Sequence, residues 1–281
     1  MIEQFIRNEI IVLACVVAGW VVGRWAFRKV ISSRTAHIDA NEDSDWHVPD
    51  AVAFVGGAFG IILGLLLVFA VQHFTDAKDA SRQEAVAEVA LFQASGPYPQ
   101  EERDEFRHSV VCLMESSAKE DWQAAAAGDL TGAENTNAWM IKMQQIAGDL
   151  TIDSEVQTAT YYSLTEEIVE ASKYRQLRLM YSLPDIPLVI WIVIYVCTFA
   201  FITLLVVHLG DRRRTAAISV AASGLVLVAI VGTLTILDFP YSGFGASLRP
   251  TALDASLIQL EDAYPGAIWD PCEELAESTP G

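Results

Sequence analysis

Gly56 to Phe92, reading GGAFGIILGLLLVFAVQHFTDAKDASRQEAVAEVALF, decides the fold. Its first half is apolar enough to cross a bilayer. Its second half turns polar with no Pro or Gly to stop a helix. One long helix is expected, packed in the membrane and leaving it as an amphipathic rod. Gly56, Gly60 and Gly64 recur at intervals of four and share a face, where a neighbouring backbone can approach closely. Glycine costs a helix interior about 0.5–1 kcal/mol against alanine, so three on one face point to a packing role.

The rest of the chain fits around that helix. Its 281 residues are 52% hydrophobic yet carry a net charge of −18, so the apolar residues must be segregated. Four runs can cross about 30 Å of hydrocarbon: 10–27, 51–72, 186–209 and 216–237. Only Arg24, near the end of the first, places a charge inside one. The expected class is all-α, an integral membrane protein with four transmembrane helices and a helical soluble domain inserted between the second and third. Residues 1–50 hold the first span and a basic, then acidic, loop. Residues 51–95 are the long helix, 96–182 the soluble domain, 183–240 the third and fourth spans, and 241–281 a short helix and acidic tail.

Within the soluble part, SGPYP (Ser95–Pro99), AGDLTG (Ala127–Gly132) and GDLTID (Gly148–Asp153) mark breaks. Between them, Phe106, Val110, Leu113, Met114 and Ser117 follow helical steps, as do Tyr161, Leu164, Ile168, Ser172, Arg175 and Leu179. The acidic residues of this part read mostly as a solvated face. Thr251–Ala263 reads as a short helix with Thr251 at its cap and Leu253, Leu257 and Leu260 on one face. That helix is expected to pack on the soluble domain.

Charge sets the topology. The first run ends in Arg24, Arg28, Lys29 and Arg34, and Arg212, Arg213 and Arg214 fill the short loop before the fourth. Positive loops mark the cytoplasmic side, which places the N-terminus, the middle domain and the tail outside. The first run lacks the charge order of a signal peptide, so it reads as an uncleaved span. His37 to Asp50 matches a Ca²⁺-loop template only in part, lacking its turn glycine and flanking helices, and reads as a solvated acidic loop.

Catalytic and cofactor chemistry find no footing. The five histidines form no triad or HExxH pattern, and no phosphate-binding glycine loop lies outside the spans. His108 and Cys112 share a helix face without a third ligand, so no metal site is expected and no cofactor is implied. Cys15 and Cys197 sit in spans; Cys112 and Cys272 lie in polar parts, and the sequence leaves their pairing open. The acidic balance argues against nucleic acid as a partner.

Several pieces resemble the bestrophin-like domain family, mostly bacterial multi-pass membrane proteins without a well-established function. They are GxxxGLLLVFAV (Gly60–Val71), EAxxEVALF (Glu84–Phe92), Glu120-Asp121-Trp122, SKYRQLRL (Ser172–Leu179) with Leu183-Pro184 and Trp191, and LDFPYSG (Leu237–Gly243). Order and spacing give these short pieces their specificity over residues 10–262. The resemblance implies kinship with bestrophins, pentameric anion channels whose second span lines the pore. On that reading Ile62, Leu66 and Phe69 form a stripe suited to an apolar constriction that gates by dewetting. Gln72 and His73, at the membrane boundary of the span, are the polar candidates for that path; the alternative is that they simply sit at the headgroup level. Two departures stand out: the charge rule puts the middle domain outside, whereas bestrophins keep theirs in the cytosol, and no bestrophin calcium clasp is evident.

Two functions follow. One is an oligomeric ion channel of the bacterial inner membrane, with the lipid bilayer, further copies of itself (five by resemblance) and inorganic ions as partners. The absence of charge within the spans sets it apart from ion-coupled transporters, although an acidic vestibule favours cations over anions. The other is a non-conducting scaffold or sensor whose acidic helical domain binds a partner. There the glycine face, with the small hydroxyls of Thr198, Ser219 and Thr233, serves helix packing only.

Overall fold

The structure, a computed structural model, describes residues 2–31, 48–209, 213–242 and 247–275. The acidic loop before residue 48, Arg34, Arg212 and the last six residues lie outside them. Among the described residues every element of regular secondary structure is helical, with no strand. The long helix is there and exceeds its expected bounds, running as α2 from Val48 to Ala94, about 70 Å at 1.5 Å per residue.

The chain divides into two compact units. The first comprises residues 1–72 and 184–238. It holds α1 (Ile2–Ala26), which opens into a wide π turn at Phe27–Ile31, then the apolar part of α2, α7 (Leu188–Leu209) and α8 (Arg213–Asp238). Each of these four helices has the length and apolarity of a membrane span. α1 begins well before the expected Ile10 because its polar first turns are accommodated inside the bundle. Asn8 is buried, its Oδ1 accepting from the Tyr195 hydroxyl at 2.9 Å and its Nδ2 donating to Thr235 Oγ1 at 3.3 Å. Gly232 makes room for Glu9 and Phe5, since a Cβ there would stand 2.8 Å from Glu9 Oε1. An acidic side chain thus sits at the edge of a span, which the reading of charge-free spans did not include.

α1 is the hub of this unit and packs on both α7 and α8. Contacts of Gly232 with Phe5 and Glu9, and of Gly224 with Val16, run α8 antiparallel to α1. Gly19 beside Phe199 and Ile202, then Gly23 beside Thr203 and Val206, run α7 parallel to it. Arg24, Arg28, Lys29 and Arg214 therefore gather at one end of the bundle. At the other end, Asp238 Oδ1 accepts from the backbone N–H of Asp185 and Ile186 at 2.9 and 3.0 Å, tying the last residue of α8 to the approach of α7.

The second unit comprises residues 73–183 and 239–281. It holds the polar end of α2, α3 (Gln100–Ser116), a π turn at Ser117–Asp121, α4 (Trp122–Ala127), α5 (Glu134–Asp149), α6 (Glu155–Met180), α9 (Thr251–Ala263) and a 3₁₀ turn at Ala267–Trp269. The breaks fall where SGPYP, AGDLTG and GDLTID are: Gly128 closes α4 in a left-handed conformation at φ 78°, and the Ser154 hydroxyl caps α6 by accepting from Gln157 N–H. The α3 stripe Phe106, Val110, Leu113, Met114 and Ser117 is fully buried. α9 packs on α3, with Leu253 and Leu260 buried and Leu257 against the core. Pro250, not Thr251, occupies its cap, and no side chain caps the helix. Proline there fixes φ and takes the chain straight into the first turn. Cys112 and Cys272 are joined by a disulfide, their Cα atoms 5.5 Å apart across 160 residues of sequence.

Candidate functional site

Three places answer to the search for function: the exposed face of α2 in the first unit, and a buried ion cluster and a cavity in the second. On α2, Phe59, Leu63 and Ala70 turn into the bundle core. Leu66 packs on that core half-buried, while Ile62 is 37% exposed and Phe69 63%. Of its most apolar stretch only 11% is buried within the chain, against 39% for α8.

The glycines of α2 divide. A Cβ on Gly56 would stand 2.9 Å from the Phe201 ring, whereas one on Gly60 or Gly64 would meet nothing within 4 Å. Gly56 and Gly60 line an apolar groove of about 370 Å³ with Phe201 and α8 residues such as Ser223 and Val226. Close backbone approach occurs instead at Gly19 and Gly23 on α1: a Cβ would come within 3.0 Å of the Phe199 carbonyl oxygen and 2.9 Å of the Thr203 one. Gln72 is exposed. His73 is half-buried, edge-on to Tyr181 at 5.7 Å, with no partner for Nε2 among the described residues.

The buried ion cluster was not expected. α2 brings Glu84 and Glu88, one turn apart; the π turn after α3 delivers Asp121, and α6 brings Arg175 and Arg178. Glu84, Glu88, Asp121 and Arg178 are fully buried, in contrast to the solvated face read for the acids of this unit. Arg178 grips Glu84 with two nitrogens and reaches Asp121 Oδ2 at 2.8 Å. Arg175 holds the same Asp121 at 2.8 and 2.9 Å, and the Ala133 N–H donates to it at 2.7 Å. Gly132, at φ 72°, brings that amide in: a Cβ there would stand 2.5 Å from Arg175 Nη2.

Burial alone would raise the Asp121 pKa, but its arginine partners hold it below the usual carboxylate range. Burial also opposes the Arg178 charge, and Glu84 and Asp121 more than offset it. Two acids and two guanidinium groups thereby balance, leaving Glu88 without a counter-charge. Its oxygens have no hydrogen-bond partner among the described residues. Burial, then the neighbouring Glu84 charge, push its pKa well above the usual carboxylate range.

Trp122 and Tyr241 close the cluster. Arg178 lies over the Trp122 ring at 5.4 Å, Tyr241 meets that ring edge-on at 5.0 Å, and the Tyr241 hydroxyl donates to the Ala77 carbonyl at 2.9 Å. Burial raises the Tyr241 pKa and keeps the phenol neutral. EAxxEVALF, Glu120-Asp121-Trp122, SKYRQLRL and LDFPYSG, four separate pieces of sequence, thus meet at one point. The sequence does carry a signal for this. Glu84 and Glu88 fall in register with the apolar stripe of Ala77, Ala80 and Leu91, and Arg175 with that of Leu164, Ile168 and Ala171. A charge standing at a core position of a helix marks a buried pair.

Among the described residues no group of three or more His, Cys, Asp or Glu is placed to hold a metal. Cys112 is spent in its disulfide. His108 donates from Nδ1 to the Ile268 carbonyl at 3.1 Å and stands edge-on to Trp139.

The bestrophin-like domain profile matches residues 14–253, most of the chain and all four converging pieces. The chain belongs to the bestrophin-like domain family. Solved structures share the fold. A bacterial bestrophin homologue from Klebsiella pneumoniae, phased on zinc, aligns with a TM-score of 0.63 at 15% identity, over 90% of this chain and 97% of that one. A point variant of the Klebsiella homologue gives 0.64 at 15%, over 91% and 98%. No protein with a curated description matches the sequence. This bestrophin-like protein is therefore a membrane protein with the backbone arrangement of a bacterial bestrophin homologue. In its Glu84–Asp121–Arg175–Arg178 cluster every carboxylate oxygen is held by a guanidinium group, while Arg178 Nη1 has no partner among the described residues.

Proposed function

We propose that the protein is an ion channel formed by several copies of the chain, with the apolar part of α2 lining the shared path. The observation that carries this reading is the α2 face that the chain leaves uncovered: Gly60 and Gly64 with nothing beside them, and Ile62 and Phe69 exposed. Further copies around an axis would cover the glycines and turn the Ile62–Phe69 stripe inward as a constriction. Family kinship favours five copies and an anion as the permeant.

On this reading the second unit is a water-facing domain inserted between the second and third spans. It stands outside the cytoplasm of a bacterial inner membrane. Two features support the orientation: the basic residues gathered at one end of the first unit, and the Cys112–Cys272 disulfide, which belongs to an oxidising compartment.

Flux from liposomes under a chloride or a potassium gradient tests the proposal. Ile62→Ala is expected to raise flux and Gly60→Leu to abolish it, with the gradient naming the ion. Folded, oligomeric protein that passes neither ion under varied pH, Ca²⁺ and voltage would move the assignment to a scaffold or sensor.

A further inference from the structure

In the second unit, α2 and the start of α9 border a cavity of about 380 Å³, within the range of about 300–1,000 Å³ typical of small-molecule sites. Lys78, Arg82 and Arg249 line it, three cations around one opening in a chain of net charge −18. Lys78 and Arg249 have no ion-pair partner among the described residues. Arg82 reaches only Asp79, at 3.5 Å between side chains about half exposed, a pair of little strength.

Two further kinds of donor, a hydroxyl and backbone amides, line the same space. Ser81 lines the cavity at 5% exposure, and its hydroxyl has no hydrogen-bond partner among the described residues. Of the other buried serines of this unit, Ser95, Ser109 and Ser116 return their proton to the carbonyl three residues back, whereas the Ser117 hydroxyl, like that of Ser81, has no partner among the described residues. Thr251 and Ala252 open α9, a helix of 13 residues without a side-chain cap, and their first-turn N–H groups lack intrahelical acceptors.

We infer that this cavity binds a phosphate-bearing anion, held by Lys78, Arg82 and Arg249, the Ser81 hydroxyl and the first amides of α9. A carboxylate offers one charge and two oxygens, too little for this donor set. A phosphate monoester offers up to two charges and three oxygens, and the volume leaves room for the group it esterifies. The aromatic wall is Trp122, whose Nε1–H is already given to the Leu248 carbonyl at 3.3 Å. It therefore serves as an apolar side for that group. The source is either a soluble phosphate or a lipid headgroup; the chemistry is shared.

The test uses the full chain in mild detergent, titrated with inorganic phosphate by calorimetry and thermal unfolding, with chloride at matched ionic strength as the reference. A second arm measures, by native mass spectrometry, phosphatidylglycerol retained from vesicles of that lipid. Lys78→Gln with Arg249→Gln is compared with Lys142→Gln, a lysine outside the cavity. A soluble ligand predicts a phosphate-specific rise in unfolding temperature and an affinity at least tenfold weaker in the double variant. A lipid ligand predicts retained phosphatidylglycerol that the double variant loses. Both effects are expected to survive Lys142→Gln. Should the double variant not fold, Ser81→Ala carries the test with a several-fold loss. Wild-type protein that neither responds to phosphate nor retains lipid, or folded variants indistinguishable from it, would overturn the inference.

Discussion

Gly19 and Gly23 on α1 and Gly60 and Gly64 on α2 have the same spacing and opposite surroundings. On α1 the missing side chains let the α7 backbone come within about 3 Å of where a Cβ would be; on α2 the same gap is empty. Four-residue spacing of glycines therefore confers a capacity for close packing, and only a partner decides whether it is used. The contrast extends through the molecule. The α1–α7 seam and the Glu84 and Asp121 ion pairs are made inside the chain, whereas the α2 face and the basic cavity are left open. Closed regions answer for stability, and the open ones are the places proposed here for a second copy and for a ligand.

If that division holds, the largest effects on folding come from the closed regions. Arg178→Met leaves Glu84 and Asp121 buried beside a single cation, and is expected to cost about 3–5 kcal/mol in thermal or denaturant unfolding of the second unit. Cys112→Ser, or reduction, removes a link across 160 residues and is expected to cost about 2–5 kcal/mol, read in the same assay. Gly23→Ala forces a Cβ against the Thr203 carbonyl and Val206, with an expected loss of about 1–3 kcal/mol. Comparable losses from Gly60→Ala would erase the distinction between the two glycine pairs.

Glu88→Gln sharpens the account of the ion cluster through pH. A carboxyl whose folded pKa is raised lends stability below its unfolded pKa, near about 4.3. That contribution is lost as pH rises through the folded pKa. Wild-type stability should therefore fall across that window from Glu88, and Glu88→Gln should flatten the profile there. Asp121 works in the opposite sense: its depressed pKa gives stability above about 3.9 that disappears as acid protonates it. The smallest effect on folding is expected from Gly60→Leu, within about 0.5 kcal/mol or slightly stabilising, because leucine is the better helix former and finds open space.

How far the sequence could be read follows the same line. The long helix was legible because apolar and polar halves join without a breaker, and the loops because Pro and Gly mark them. The ion cluster was not, because Glu84, Glu88 and Arg178 look like any solvated helical charges until their register with the apolar stripes is noticed. Nor does spacing distinguish Gly19–Gly23 from Gly60–Gly64, since the difference lies in which helix arrives opposite. The disulfide needed the fold to bring residues 112 and 272 together.

Whether further copies of the chain cover the open face of α2 is read from the mass of the complex in mild detergent. Coverage by further copies gives a wild-type mass that is a multiple of 30.8 kDa, and a Gly60→Leu variant that keeps its helicity and unfolding temperature while dropping toward one chain. A wild-type protein of single-chain mass, or a Gly60→Leu variant that assembles as wild type does, would contradict it.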